Sequence, residues 1–165
     1  MTPTLYQTLL GAAFFRLPDT LRTLHGEKMV LRVLDQSAVQ LDLEPVPLVL
    51  ADAQQVRQVI HNLVQNAQDA MAGVPNAQVV LRTRRSDSGQ WVRLSVLDQG
   101  PGFAEHILKR AFEPYVTTKV KGTGLGLAVV KKIMDEHGGR VDLSNRMTEG
   151  KVIGAQVSLS FAVAN

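Results

Sequence analysis
Three glycines at alternate positions, Gly122-Thr123-Gly124-Leu125-Gly126-Leu127, head a stretch of helical periodicity that runs from Leu125 to His137. This run constrains the chain more than any other single feature, because it defines an element and what the end of that element can do. A helix N-terminus presents N–H groups without intrahelical partners and the positive end of the helix dipole, so it suits an anion. Glycine there lets the backbone approach a phosphate closely. The same pattern also serves tight packing, so the run alone leaves both readings open. It is read together with the segment just before it, Ala111-Phe112-Glu113-Pro114-Tyr115-Val116-Thr117-Thr118-Lys119.

The 165 residues, 45% hydrophobic and 20% charged, suit one domain large enough to bury a core. With no cysteine, disulfides and thiolate metal sites are excluded. No apolar run approaches the roughly 20 residues of a membrane span, and no signal-peptide pattern opens the chain. A cytoplasmic setting is expected. The net charge is only +3, and the small clusters Arg82-Arg84-Arg85 and Lys131-Lys132 read as solvated surface. Without a basic stripe interleaved with aromatics, nucleic acid is not an expected partner.

Met1 to Phe15 is apolar and helix-compatible, and it stops at Leu17-Pro18, where proline disfavours a helix. Residues 1–17 thus read as the end of a helix or linker, and 18–165 as the domain. Thr20 to Leu34 repeats apolar residues at helical spacing. Val39 to Leu43 alternates as a half-buried strand should. Glu44 to Pro47 is a turn, and Leu48-Val49-Leu50 a short buried strand. Asp52 stands where it can cap a long helix ending near Ala72-Gly73. Its apolar positions, from Val56, Val59 and Ile60 to Leu63, Ala67, Ala70 and Met71, form one face.

Gln78 to Arg85 and Gln90 to Asp98 are predicted as an antiparallel hairpin around Ser86-Asp87-Ser88-Gly89. A short helix follows over Ala104 to Ala111. Gly138-Gly139 stops the glycine-headed helix, and strands are expected at Arg140–Ser144 and Val152–Val163. The sum is an α/β (α+β) two-layer sandwich, a mixed, mainly antiparallel sheet of about five strands on three main helices.

Two further signals carry chemistry. At about 100° per residue, Asn62 and Asn66 lie about 40° apart on the edge of the long helix's apolar face. Asn is a poor helix former, so a pair there is less casual than one polar-face Asn; carboxamide oxygens can ligate a metal or touch phosphates. Val96-Leu97-Asp98-Gln99-Gly100-Pro101-Gly102-Phe103 puts a carboxylate at the end of an apolar strand, where it can accept from an exocyclic amine. Asp-x-Gly is also an ordinary turn.

Their order decides between these readings. An Asn-x-x-x-Asn helix, a strand with Asp-x-Gly-x-Gly, Phe-Glu-Pro-Tyr and then Gly-Thr-Gly-Leu-Gly-Leu resembles the ATP-binding catalytic domain of sensor histidine kinases. That family shares the ATP-binding Bergerat fold with gyrase, Hsp90 and MutL. Asn62 and Asn66 match its N box, Asp98, Gly100 and Gly102 its G1 box, Phe112 and Pro114 its F box, and Gly122, Gly124 and Gly126 its G2 box. The short spacing from Phe112-Glu113-Pro114-Tyr115 to the glycines looks like the nucleotide lid of nitrogen-regulation-type kinases.

The resemblance implies ATP and Mg²⁺ as cofactors. It implies that Asp98 reads the adenine amino group, and that Asn66 holds Mg²⁺ between the phosphates with Asn62 beside it as the second catalytic asparagine. Phe112 would anchor the lid. Gly100, Gly102, Thr118, Lys119, Gly122, Thr123, Gly124, Leu125 and Gly126 would complete the nucleotide site, with Lys121 divided between phosphate and solvent. Many relatives carry Lys or Arg where this chain has Asp69, which puts the phosphate contacts in doubt more than the function.

Gyrase-like relatives carry a water-activating glutamate where this chain has Asn62, so ATP should be held rather than hydrolysed. None of His25, His61, His106 and His137 has the neighbours of the family's phosphoacceptor, His-Glu/Asp-x-x-Thr/Asn-Pro. The expected reaction therefore passes the γ-phosphoryl group to a histidine on a dimerisation domain outside this chain. The implied partners are that domain and a response regulator, in a homodimeric parent kinase that can be anchored at the inner membrane. The alternatives are another ATP-binding relative, either an anti-sigma-type serine kinase or a gyrase- or Hsp90-like ATPase, and a degenerate module that only binds.

Overall fold
The computed structural model describes residues 15–16, 39–117 and 124–164. Five strands form the main sheet: β2 (Val39–Leu43), β4 (Val79–Arg85), β5 (Trp91–Leu97), β6 (Arg140–Thr148) and β7 (Lys151–Ala162), in the order β2-β4-β5-β7-β6. Only β2 and β4 run parallel; the other neighbours are antiparallel. A separate two-stranded piece pairs β1 (Phe15–Arg16) with β3 (Val49–Leu50) in parallel. Phe15, expected at the end of a helix, is thus extended. The rest of the 1–17 segment and the helical spacing at Thr20–Leu34 lie outside the described residues.

The helices are α1 (Ala53–Ala70), α2 (Glu105–Arg110) and α3 (Gly126–Glu136). The Asp52 carboxylate accepts from the N–H groups of Gln54 and Gln55 at 2.9 and 3.0 Å, satisfying two donors that α1 cannot pair internally. The helix buries Val56, Val59, Ile60, Leu63, Val64 and Ala67, and Met71 closes its end. Each such aliphatic side chain contributes about 1.5–3 kcal/mol relative to exposure.

That face packs on α3, through Val130, Ile133 and Met134, and on one side of the sheet, through Leu81, Val92, Leu94, Val157 and Leu159. The other side of the sheet is polar. There Ser95 and Ser158 hydroxyls meet at 2.9 Å, the Arg140 guanidinium lies 4.6 Å from the Trp91 ring centroid, and Arg82 and Arg84 pair with Asp42 at 2.7 and 2.8 Å. One covered face and one polar face reproduce the expected two-layer arrangement.

The ends of α1 and α3 are stitched together by His137. Its Nε2 accepts from the Asp52 N–H at 3.0 Å, and its Nδ1 lies 2.7 Å from the Ile133 carbonyl. These partners define the tautomer: Nδ1 carries the proton and Nε2 the lone pair. His137 thus joins the start of one helix to the end of another.

Candidate nucleotide-binding site
β5 ends at Leu97, and Asp98, the next residue, is only 7% exposed. Its Oδ1 accepts from the N–H groups of Gly100 and Ala155, each at 2.9 Å. Its own N–H donates to the Ala155 carbonyl at 3.0 Å, which extends the β5–β7 ladder by one rung. Both side-chain bonds end on Oδ1, so Oδ2 remains for a donor on a ligand. Buried carboxylates need such partners, because an unsatisfied polar group inside costs about 1–3 kcal/mol. Gly154 makes this packing possible: a Cβ there would stand 2.0 Å from the Asp98 carbonyl oxygen.

Asp98 opens onto a cavity of about 710 Å³, a size ordinary for small-molecule sites. Leu63 and Ala67 of α1, Val96 of β5 and Val157 of β7 supply its apolar wall. Asn66, one turn from Leu63 on α1, puts its carboxamide at the far side, against Gly126. Asp69 also reaches the cavity, with Oδ1 accepting from Gln65 Nε2 at 3.0 Å.

At that far side α3 begins. Leu125, its N-cap residue, supplies no side-chain cap for the first turn, and the leading N–H groups of a helix suit an anion. The Tyr115 N–H donates to the Gly124 carbonyl at 3.0 Å, joining the two described ends of the 116–123 segment. Gly124 has φ +70°, and a Cβ on it would lie 2.5 Å from the Tyr115 carbonyl carbon, so only glycine fits.

Of the residues singled out from the sequence, the structure brings Asn66, Asp98, Gly102, Gly124 and Gly126 to this one cavity. Gly100 is buried beneath it, pressed on the end of α1, where a Cβ would sit 2.7 Å from the Ala70 carbonyl oxygen. Asn62, Phe112 and Leu125 do not line it: Asn62 and Phe112 are half-buried nearby, and Leu125 is largely turned out. Thr118, Lys119, Lys121, Gly122 and Thr123 lie outside the described residues. Sequence reasoning passed over Ala155, Gly154, Asn145 and Arg146, which hold Asp98 and its loop. A glycine inside a strand was the one available signal, since it often marks close backbone approach.

A family model described as "Histidine kinase-, DNA gyrase B-, and HSP90-like ATPase" matches residues 51–163. The chain belongs to this family. Among individual relatives, it is 41% identical over 108 residues to a Rickettsia bellii (strain RML369-C) protein named as an NtrY-like sensor histidine kinase. That match covers 66% of this chain and 17% of the relative, so the chain spans about a sixth of its length. The catalytic domain of histidine kinase ThkA superposes with a TM-score of 0.63 at 30% identity, covering 82% of this chain and 84% of that one. Full-length ShkA in complex with AMPPNP superposes with a TM-score of 0.64 at 32% identity, covering 84% of this chain and 29% of that one.

Proposed function
We propose that this chain is the catalytic domain of a sensor histidine kinase of the nitrogen-regulation type, which binds Mg-ATP and passes the γ-phosphoryl group to a histidine on a separate dimerisation domain. The observation that carries this reading is the single cavity joining Asp98, with Oδ2 unengaged, to Asn66 and the N-terminus of α3. Asp98 would accept from the adenine 6-amino group, which guanine lacks. The apolar wall of Leu63, Ala67, Val96 and Val157 would take the base. Gly124, Gly126 and the first N–H groups of α3 would hold the phosphates, as a helix N-terminus does.

The donor set suits Mg²⁺. This ion takes hard oxygen ligands and usually uses one or two from the protein beside the substrate's phosphates; Asn66 offers one carboxamide oxygen in the cavity. When bound, the ion would neutralise charge on the phosphates. The chain's own part is positioning: phosphoryl transfer asks little covalent chemistry of the protein. Residue 62 is a carboxamide, not a carboxylate, so no base stands there to activate water.

As part of the same reading, we place the domain on the cytoplasmic side of a homodimeric parent that phosphorylates a response regulator. The test mixes this chain with a fragment bearing the dimerisation helices and γ-labelled ATP. Acid-labile label on the added histidine, reduced about a hundredfold with Asn66→Ala, is the expected result. Acid-stable label would indicate a serine kinase, and release of free phosphate without labelled protein an ATPase.

A further inference from the structure
Beyond Asp98, whose N–H still pairs with the Ala155 carbonyl, residues 99–103 join no strand among the described residues, yet this loop must present Asp98 to the cavity. Asn145, on the edge strand β6, supplies the missing partner. Its Oδ1 accepts from the Phe103 N–H at 2.7 Å, and its Nδ2 donates to the Phe103 carbonyl at 2.9 Å. One carboxamide thus satisfies both backbone groups of Phe103, as a neighbouring strand would. The next residue, Arg146, donates from Nη1 to the carbonyl of Asp98 itself. Consecutive side chains of β6 therefore grip both ends of one loop.

The local backbone explains how they reach it. Arg146 pairs with Gly154 but Met147 pairs with Val152, so Ile153 is an extra residue and the ladder shifts between Arg146 and Met147. Such a bulge bends its strand and re-aims the side chains beside it. The loop fits flush against this bend: a Cβ on Gly102 would lie 2.7 Å from Asn145 Oδ1 and 2.6 Å from Val152 Cγ1. On its other side the loop is pinned to the end of α1, where the Gln99 N–H donates to Met71 Sδ at 3.2 Å.

We propose that Asn145, aided by Arg146, is a positioning residue for base recognition: it clamps loop 98–103 so that Asp98 Oδ2 faces the adenine amine. This rests on the nucleotide-binding reading above and adds what sets the base selectivity. Asn145 does not line the cavity itself, so its removal should weaken recognition of the base and leave the phosphate end intact.

The test uses the whole 165-residue chain and a fluorescent ATP analogue displaced by ATP, GTP or tripolyphosphate. For Asn145→Ala, ATP affinity should fall about tenfold, the scale of one to two lost hydrogen bonds. Affinity for GTP and tripolyphosphate should change less than about twofold, so the ATP-to-GTP preference drops by nearly the same factor as ATP affinity. Asn145→Asp keeps the acceptor for the Phe103 N–H and should fall between; it also serves as the test if Asn145→Ala does not fold. The amide resonances of Gly100 and Phe103 should move in both variants.

Equal weakening toward all three ligands, or an unchanged ATP preference in a folded variant, overturns the inference and leaves the nucleotide-binding reading standing. Failure of the wild-type chain to bind ATP overturns that reading, and this inference with it.

Discussion

The two ends of the cavity are built on different principles. At the end where we place the base, side chains and backbone from four elements converge: Gly100 and Ala155 N–H groups on Asp98, Arg146 on its carbonyl, Asn145 on Phe103 and Met71 on Gln99. At the end where we place the phosphates, the described ties are mostly backbone. One Tyr115–Gly124 hydrogen bond joins the residues on either side of positions 116–123, Gly124 takes φ +70°, and Tyr115 itself sits at φ +66°, costly for a bulky residue. A base is recognised by fixed hydrogen-bond geometry, so its site gains from being locked beforehand. Phosphates need convergent N–H dipoles and room to enter, which glycine and a helix end supply.

The sharpest way to break this contrast is Asp98→Asn. Its oxygen can still accept from Gly100 and Ala155, but an NH₂ then faces the adenine amine, donor against donor. Calorimetry should show ATP affinity falling about a hundredfold, the worth of a charge-assisted bond plus the clash, with unchanged circular dichroism. An unaltered affinity would remove the base end from the comparison.

Asn66→Ala tests the opposite end: phosphoryl transfer should drop about a hundredfold, in line with losing one preorganised charge-stabilising group. ATP binding in EDTA should stay within about threefold of wild type, because this variant spares the base contacts. Gly124→Ala should be milder. Forcing a Cβ into left-handed backbone costs about 1–2 kcal/mol, and its 2.5 Å approach to the Tyr115 carbonyl carbon adds to this, so ATP should bind at least about tenfold more weakly while adenosine binds as before. Equal losses for both ligands would mean that the two ends are not separable.

Smaller effects lie outside the cavity. His137→Ala removes the Asp52–His137 stitch and should lower the melting temperature by about 5 °C, one hydrogen bond's worth, with nucleotide affinity unchanged. The smallest concerns Asp42, whose carboxyl is held below its ordinary range by hydrogen bonds from Arg84 and then Arg82. A carboxyl with a depressed folded-state pKa stabilises above its unfolded value and loses that contribution as pH falls through the folded one. The difference in melting temperature between wild type and Asp42→Asn should therefore shrink on acidification. A constant difference from neutral to acid pH would show that the pairing does not matter.

Much of the scaffold was legible without coordinates. The alternation of Val39 to Leu43, the Asp52 cap and the 3.6-residue spacing of Val56, Val59, Ile60 and Leu63 are local signals, and each element formed where they point. Boundaries were less legible: β6 runs to Thr148, beyond the expected Ser144, and β7 starts at Lys151. Pairing with its neighbour carried the strand past its most apolar residues. The candidate site was half legible. Asp98, Asn66 and the glycines stand in recognisable order, whereas Asn145 and Arg146 sit in an unremarkable polar stretch.

By itself, the sequence determined the type and order of most elements, which faces are apolar and the family to which the chain belongs, because periodicity, caps and motifs are written in the chain itself. Only the tertiary structure decided what holds Asp98 in place. The Asn145–Phe103 clamp spans 42 residues and the Asp52–His137 stitch 85. A hydrogen bond across such distances depends on sheet register and on one bulge, and neither leaves a local pattern in the chain.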